Sequence, residues 1–180
     1  MRGTGTVLLC CLGIACGVGA QPIPAHGTVE AVFSPDEDTG ARVAETLGQA
    51  RSQILVQAYV FTHRAIAEAL AAARQRGVDV RVIADQEQAD RVETSLLGWL
   101  VERDVPVWLD GRHAAAHNKV MVIDAGQEGA TVITGSFNFT HSAQYRNAEN
   151  LLILRGNAAL AEAYADDWRR HRAHAVPMRK

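Results

Sequence analysis

From residue 28 to residue 103 the sequence alternates short β-rich runs with runs of helical periodicity, and that rhythm confines the chain to a small set of folds. Residues 28–34 read as a strand, and 39–51 as a helix with Val43, Leu47 and Ala50 at helical spacing. Residues 54–62 form an apolar run rich in β-branched and aromatic side chains, the pattern of a strand covered on both faces. A helix over 63–76 follows, with Ile66, Ala69, Leu70 and Ala73 on one face and Gly77 as its stop. Residues 78–84 alternate like a strand, and 92–103 predict a helix that buries Leu96, Leu97, Leu100 and Val101. Strand, helix, strand in this order implies parallel strands joined by helical crossovers.

The second half changes character. Residues 105–109, 119–123, 131–134 and 150–154 are β-like with few helical residues between them, so mixed or antiparallel pairing is expected there. A last helix over 158–172 places Leu160, Tyr164 and Trp168 at steps of four, a stripe that reads as core contact. The chain has 180 residues, 48% hydrophobic and 21% charged, without a low-complexity stretch or linker, which fits one α/β domain with a real core.

The first twenty residues stand apart. Met1-Arg2 is a basic start, Val7 to Val18 an apolar run too short to span a bilayer comfortably, and Val18-Gly19-Ala20 a small-residue exit. Residues 1–20 therefore read as a signal peptide cleaved after Ala20, which places the protein outside the cytoplasm, in the periplasm or secreted. Retention of the run as an anchor is the alternative, and a lipid on Cys16 a weaker one. Cys10, Cys11 and Cys16 all lie in this leader, so cleavage leaves no cysteine for a disulfide or a thiolate metal site. Loss of Arg2 takes the formal charge from −2 to −3. A nucleic-acid substrate would have to be met by a local patch rather than by a basic field.

The segment His117-Asn118-Lys119-Val120-Met121-Val122-Ile123-Asp124 carries the chemistry. Side chains two apart on a strand share a face, so His117 and Lys119 project together, with Met121 and Ile123 after them, and Asp124 falls on the other face. An ammonium can hold a phosphate oxygen while a neutral imidazole attacks phosphorus or moves a proton. A lone His-x-Lys is usually surface decoration, and the weight comes from downstream. Gly135 permits close backbone approach, Ser136 and Asn138 can donate to phosphate oxygens, and Glu149 can accept from an imidazole nitrogen and orient it. Arg112, His113 and Arg146 could form a rim for a phosphate backbone, or be ordinary surface charge. His26, His63, His113, His141, His171 and His174 lack paired metal-ligand spacing with nearby acids, and His171 and His174, three apart at the end of the last helix, could chelate a metal weakly but read better as a solvated helix end. No metal and no cofactor is expected.

H-N-K-V-M-V-I-D, then T-G-S-F-N-F-T, then A-E-N-L-L-I resembles the phospholipase D superfamily, and in particular its small exported bacterial endonucleases with one His-x-Lys-x4-Asp motif per chain. The likeness extends to Phe33-Ser34-Pro35, Ala58-Tyr59-Val60-Phe61-Thr62, Arg76-Gly77-Val78-Asp79-Val80 and the Trp168 helix, and makes 28–174 the catalytic domain. It implies a mixed, mainly parallel β-sheet flanked by helices on both faces. It also implies metal-independent phosphodiester hydrolysis, in which one His attacks phosphorus and a second protonates the leaving oxygen. With one motif per chain, two such histidines meet only in a homodimer about a two-fold axis. On this resemblance His117, Lys119 and Glu149 are catalytic, Lys119, Ser136 and Asn138 bind the phosphoryl oxygens, and Asp124 and Gly135 support the site.

DNA, and RNA after it, is the expected substrate, without stable membrane association once the leader is gone. Phospholipid hydrolysis and a non-catalytic nucleic-acid-binding module are the competing readings.

Overall fold

The computed structural model describes residues 21–179, so the signal peptide expected over residues 1–20 lies outside the described residues. Eight strands form one sheet: β1 (Thr28–Ser34), β2 (Gln53–Ala58), β3 (Asp79–Asp85), β4 (Val107–Asp110), β5 (Lys119–Ile123), β6 (Thr131–Gly135), β7 (Glu149–Arg155) and β8 (Val176–Pro177). Their spatial order is β1-β7-β6-β5-β2-β3-β4-β8. The helices are α1 (Thr39–Gly48), α2 (Arg64–Gln75), α3 (Gln86–Arg91), α4 (Leu97–Val101), α5 (His141–Tyr145) and α6 (Ala158–Arg172).

The expected mixed sheet with helices on both faces is present, but its balance differs from the mainly parallel one expected. β2-β3 and β3-β4 are parallel, while the remaining five pairings are antiparallel. The crossover helices read in the first half do build the parallel part. The difference comes from β5, β6, β7 and β1, which pair antiparallel in succession outward from β2, and from β8, which pairs antiparallel with β4 at the other end of the sheet.

Alternation along the strands builds two cores. Ile54, Val56, Met121, Ile123 and Ile133 face α1 and α2, while Leu55, Val120, Val122 and Val132 face α6. The stripe expected on α6 is core contact: Trp168 is buried, Leu160 and Tyr164 pack half-buried beside it, and the Trp168 indole N–H donates to the Val56 carbonyl at 3.0 Å. The helix expected over 92–103 is instead only α4, over residues 97–101, and a separate short helix, α3, precedes it. Asp85 caps α3 by accepting from Gln88 N at 2.8 Å, the helix ends at Arg91, and the Leu96 N–H is drawn to the Phe61 carbonyl at 3.0 Å.

Asp124 lies just past β5, at the sheet edge opposite Lys119, in the left-handed region (φ 54°) that Asp tolerates better than most residues. Its carboxylate accepts from Arg51 N, Ser52 N, Ser52 Oγ and Gln53 N at 2.8–2.9 Å, tying the entry of β2 to the exit of β5. Burial alone would push this carboxyl up, but the N–H groups of Gln53, Ser52 and Arg51 and the Ser52 hydroxyl outweigh it and hold the pKa below the usual value.

At the other end of the sheet, Glu30 of β1 receives Arg42 and Arg155. The Arg42 hydrogen bond, opposed by burial and aided by Arg155, lowers its pKa from 4.5 to about 2. A depressed carboxyl pKa contributes stability that is present above the unfolded value and lost as pH falls through the folded one. The melting temperature of Glu30→Gln should therefore fall less steeply than wild type between about pH 5 and pH 2. Asp124→Ala should cost about 2–4 kcal/mol in denaturant unfolding, with Asp124→Asn costing less because it keeps the turn preference.

Candidate active site

Because β1, β2, β3, β4 and β6 run in one direction and β5 and β7 in the other, the carboxyl ends of the first set and the amino ends of the second share one edge of the sheet. Lys119 opens β5 opposite Ala58, Gly135 closes β6 opposite Leu151, and Glu149 opens β7 opposite Ser34. His117, Lys119, Ser136, Asn138 and Glu149 all gather at this edge, and Asp124 sits at the other.

His117 and Lys119 do project together. His117 is exposed, Lys119 is buried, and the Lys119 ammonium lies 2.8 Å from His117 Nδ1 and 2.7 Å from the His117 carbonyl. An ammonium has no lone pair, so Nδ1 must be the acceptor, and the neutral ring then carries its proton on Nε2. Tyr59 supplies a floor for both groups: its ring centre lies 4.2 Å from that of His117 and 4.9 Å from the Lys119 ammonium, a cation–π contact. Burial pushes the Lys119 pKa down, and the negative charge of Glu149 opposes that shift.

Ser136 and Glu149 form the other half of the constellation. The Ser136 hydroxyl donates to Glu149 Oε2 at 2.6 Å and accepts from Asn150 N at 3.0 Å, while Asn147 Nδ2 donates to Glu149 Oε1 at 2.9 Å. Glu149 is thus occupied by Ser136 and Asn147, and the orienting contact to His117 expected from the sequence is not made in this arrangement. The Ser136 proton is committed to Glu149, so a phosphate oxygen has to compete for it. Asn138 is half-buried and its amide oxygen has no hydrogen-bond partner, which leaves an unsatisfied polar group beside the site.

The backbone around these groups is fixed. Thr62 N and His63 N both donate to the Phe139 carbonyl at 2.9 Å, Phe137 and Phe139 are fully buried, and the Ser34 hydroxyl donates to the Ala143 carbonyl at 2.7 Å. The loop into His117 is held where Ala116 N donates to Asp85 Oδ2 at 2.7 Å.

Tyr59 and Asn147 were not among the residues that the sequence singled out. Tyr59 was hidden at the end of an apolar run read as a strand to residue 62, whereas β2 stops at Ala58 and frees the ring. His171 and His174 correct the reading of a solvated helix end: their side chains are 17% and 19% exposed and both contact Asp110. His113 reaches the same carboxylate with a side chain that stays 45% exposed.

Gly135 is required by space and by its backbone, whose φ of 155° L side chains rarely adopt. A Cβ there would come within 2.3 Å of the Asn150 carbonyl oxygen and 2.9 Å of Leu151 Cα, and neither backbone atom can yield cheaply. Gly135→Ala should cost about 1–3 kcal/mol in stability by forcing β6 and β7 apart. It should also lower turnover of a generic phosphodiester such as bis(p-nitrophenyl) phosphate at least tenfold, measured on protein shown to be folded by circular dichroism.

Comparison with known proteins agrees with this arrangement. Residues 43–171 match the family model described as cardiolipin synthase, PLD-like domain. The chain is 37% identical over 145 residues to a phospholipase D of Rickettsia felis, covering 81% of this chain and 70% of that one. It is 31% identical over 160 residues to the mitochondrial cardiolipin hydrolase of Xenopus laevis, covering 83% and 72%. Among solved structures it superposes on Nuc from Salmonella typhimurium, a phospholipase D family member, with a TM-score of 0.78, 29% identity, and 85% and 99% of the two chains covered. NucT from Helicobacter pylori shares the fold at a TM-score of 0.74 and 23% identity. With a family model across most of the chain, relatives above 30% identity and a shared mixed sheet, the chain belongs to the phospholipase D superfamily and is a phosphodiesterase.

Proposed function

We propose that the protein is an endonuclease that hydrolyses DNA, and RNA as a second substrate, through a phosphohistidine on His117. The observation that carries the substrate class is the groove beside Asn138. It is lined by Thr62, Thr94, Asn138, Thr140, Ser142 and Asn147, with Val60 and Val92 as its apolar members. A wall of hydroxyls and amides suits a sugar–phosphate chain better than an acyl chain.

In the proposed reaction the His117 imidazole attacks phosphorus, the P–O bond to the leaving group breaks, and His117 of a second copy protonates the leaving oxygen. Water then attacks the phosphohistidine, giving its proton to that second imidazole, and the P–N bond breaks to restore both rings. Lys119 holds phosphoryl oxygens, with Ser136 and Asn138 as further ligands. Attack through Nε2 requires the proton to move to Nδ1, away from the position that Lys119 now imposes. Bound phosphate can do this by drawing the ammonium to itself and leaving Nδ1 to a carboxylate such as Glu149. The scheme uses no metal. Two identical rings in opposite protonation states form a coupled pair, so activity should be bell-shaped in pH.

The homodimer that this requires is supported by an uncovered apolar strip along β1, at one end of the sheet. Val29, Ala31 and Phe33 of β1 lie in register with Leu154, Leu152 and Asn150 of β7 on one face, and Val29 and Phe33 are 63% and 55% exposed. Such a strip, whose Phe33 end reaches the edge that carries His117, suits an isologous contact between two copies. Export remains part of the proposal and rests on residues 1–20 alone.

A second reading, phospholipid hydrolysis, is favoured by the names of the Rickettsia and Xenopus relatives. Incubation of the purified protein with supercoiled plasmid and, separately, with phosphatidylcholine or cardiolipin vesicles decides between them. Nicked and linear DNA with intact lipid is the expected result, and lipid turnover with intact plasmid would overturn it. His117→Ala should lose at least about a thousandfold in rate, since a covalent nucleophile has no substitute.

A further inference from the structure

Away from His117, the end of β4 meets the end of α6 in a cluster that the phosphodiesterase chemistry does not use. Asp110 closes β4 with a side chain that is 0% exposed. Three imidazole nitrogens converge on its Oδ2: His171 Nδ1 at 2.8 Å, His113 Nδ1 at 3.0 Å and His174 Nε2 at 3.1 Å. One ligand atom from each of the four residues lies within 4.8 Å of all the others.

We propose that Asp110, His113, His171 and His174 form a four-coordinate site for a divalent transition-metal ion of the zinc class.

Hydrogen bonding alone satisfies this cluster poorly. A carboxylate oxygen has two lone pairs, and three ring nitrogens compete for them. Protonating the rings to strengthen the contacts would stack cations whose ring centres are 4.8, 5.2 and 5.6 Å apart. A metal ion resolves both problems, because it takes three neutral nitrogens and one carboxylate oxygen as ligands and replaces the crowded N–H hydrogens. Bonds of about 2.0–2.1 Å in a tetrahedron set neighbouring ligand atoms about 3.3–3.4 Å apart. The observed contacts to Oδ2 would open by a few tenths of an ångström, and the ligand atoms, now up to 4.8 Å apart, would close by as much as about 1.4 Å.

The surroundings are those of a metal site. Arg112 N donates to Asp110 Oδ1 at 3.1 Å, and His113 Nδ1 also lies 3.2 Å from that oxygen, while Oδ2 faces all three imidazoles. His171 turns Nδ1 inward while its Nε2 faces Asp167 Oδ2 at 3.7 Å, close enough for that carboxylate to become its outer partner once Nδ1 takes a metal. Three imidazoles with one carboxylate favour zinc and its neighbours over magnesium or calcium, which take oxygen. Four protein ligands fill a tetrahedral shell, so the ion would be structural and leave the reaction at His117 metal-free.

Its effect would be on architecture. The ion would clip together β4, the end of α6, the turn into β8 and the segment 111–118 that leads to His117. β8 begins two residues after His174 and pairs with β4 through Leu109 and Val176. The ligands are spread from residue 110 to 174, so metal closes a long loop that no disulfide secures.

The test uses the purified full-length protein stripped with chelator, then titrated with zinc in a calorimeter and with cobalt(II) in a visible spectrometer. One zinc per chain is expected, with the intense visible band of tetrahedral cobalt and a rise in Tm of several degrees at saturating zinc. His113→Gln, on a side chain 45% exposed and tolerant of change, should weaken zinc at least tenfold and reduce the Tm rise. His171→Gln should do the same, and His141→Gln, on α5, should not. Absence of saturable binding, binding unchanged in both His113→Gln and His171→Gln, or a weak six-coordinate cobalt spectrum would overturn the proposal. None of these readouts depends on hydrolysis, so the site stands or falls apart from the nuclease reading.

Discussion

β5 runs antiparallel to both of its neighbours, β2 and β6, and its seating determines what the active edge contains. With Lys119 opposite Ala58, the ammonium falls beside Tyr59, where β2 gives out, and beside the turn at Gly135, where β6 gives out. A slip of one residue would turn Lys119 and His117 to the other face and put Met121 and Ile123 out of the α1–α2 core. That register is held at the far edge by the Asp124 carboxylate, which gathers three backbone N–H groups at the entry of β2. The motif's aspartate and histidine thus flank one strand at opposite ends, the aspartate bonded to the entry of β2 and the histidine exposed beside Lys119.

Charge is used sparingly in this molecule. The chain is slightly acidic, and the cation closest to His117 is a lysine whose burial disfavours its own charge. Glu149 offsets that cost, and so belongs as much to the electrostatics of Lys119 as to any direct contact with imidazole. Phosphate arriving at such a site meets one ammonium, a hydroxyl, an amide and an aromatic floor. Recognition would therefore depend on local geometry rather than on long-range attraction.

Much of the architecture could be read in the residues. The bounds of β1, β5 and α6 follow from local period, and Ser136 and Glu149 reach the His117 edge because they terminate and begin neighbouring strands. What escaped was set by distant partners. The antiparallel insertion of β5 depends on which strands pair, and periodicity is silent about that. Residues 92–103 keep a helical spacing of leucines, yet the Phe61 carbonyl takes the Leu96 N–H and breaks the run. Tyr59 looked like part of a buried strand until β2 ended before it. Asp110 and His171 are 61 positions apart and carry no local signature of each other, so the histidines of α6 looked like surface.

The covalent role of His117 is most directly tested by rapid-quench mass spectrometry of the protein mixed with a phosphodiester substrate. The account predicts a phosphoryl adduct on the peptide containing His117, labile to acid and stable to base, that forms before steady state and reaches one site per pair of chains. Steady turnover with no adduct at any time, or an adduct mapped to another residue, would contradict it.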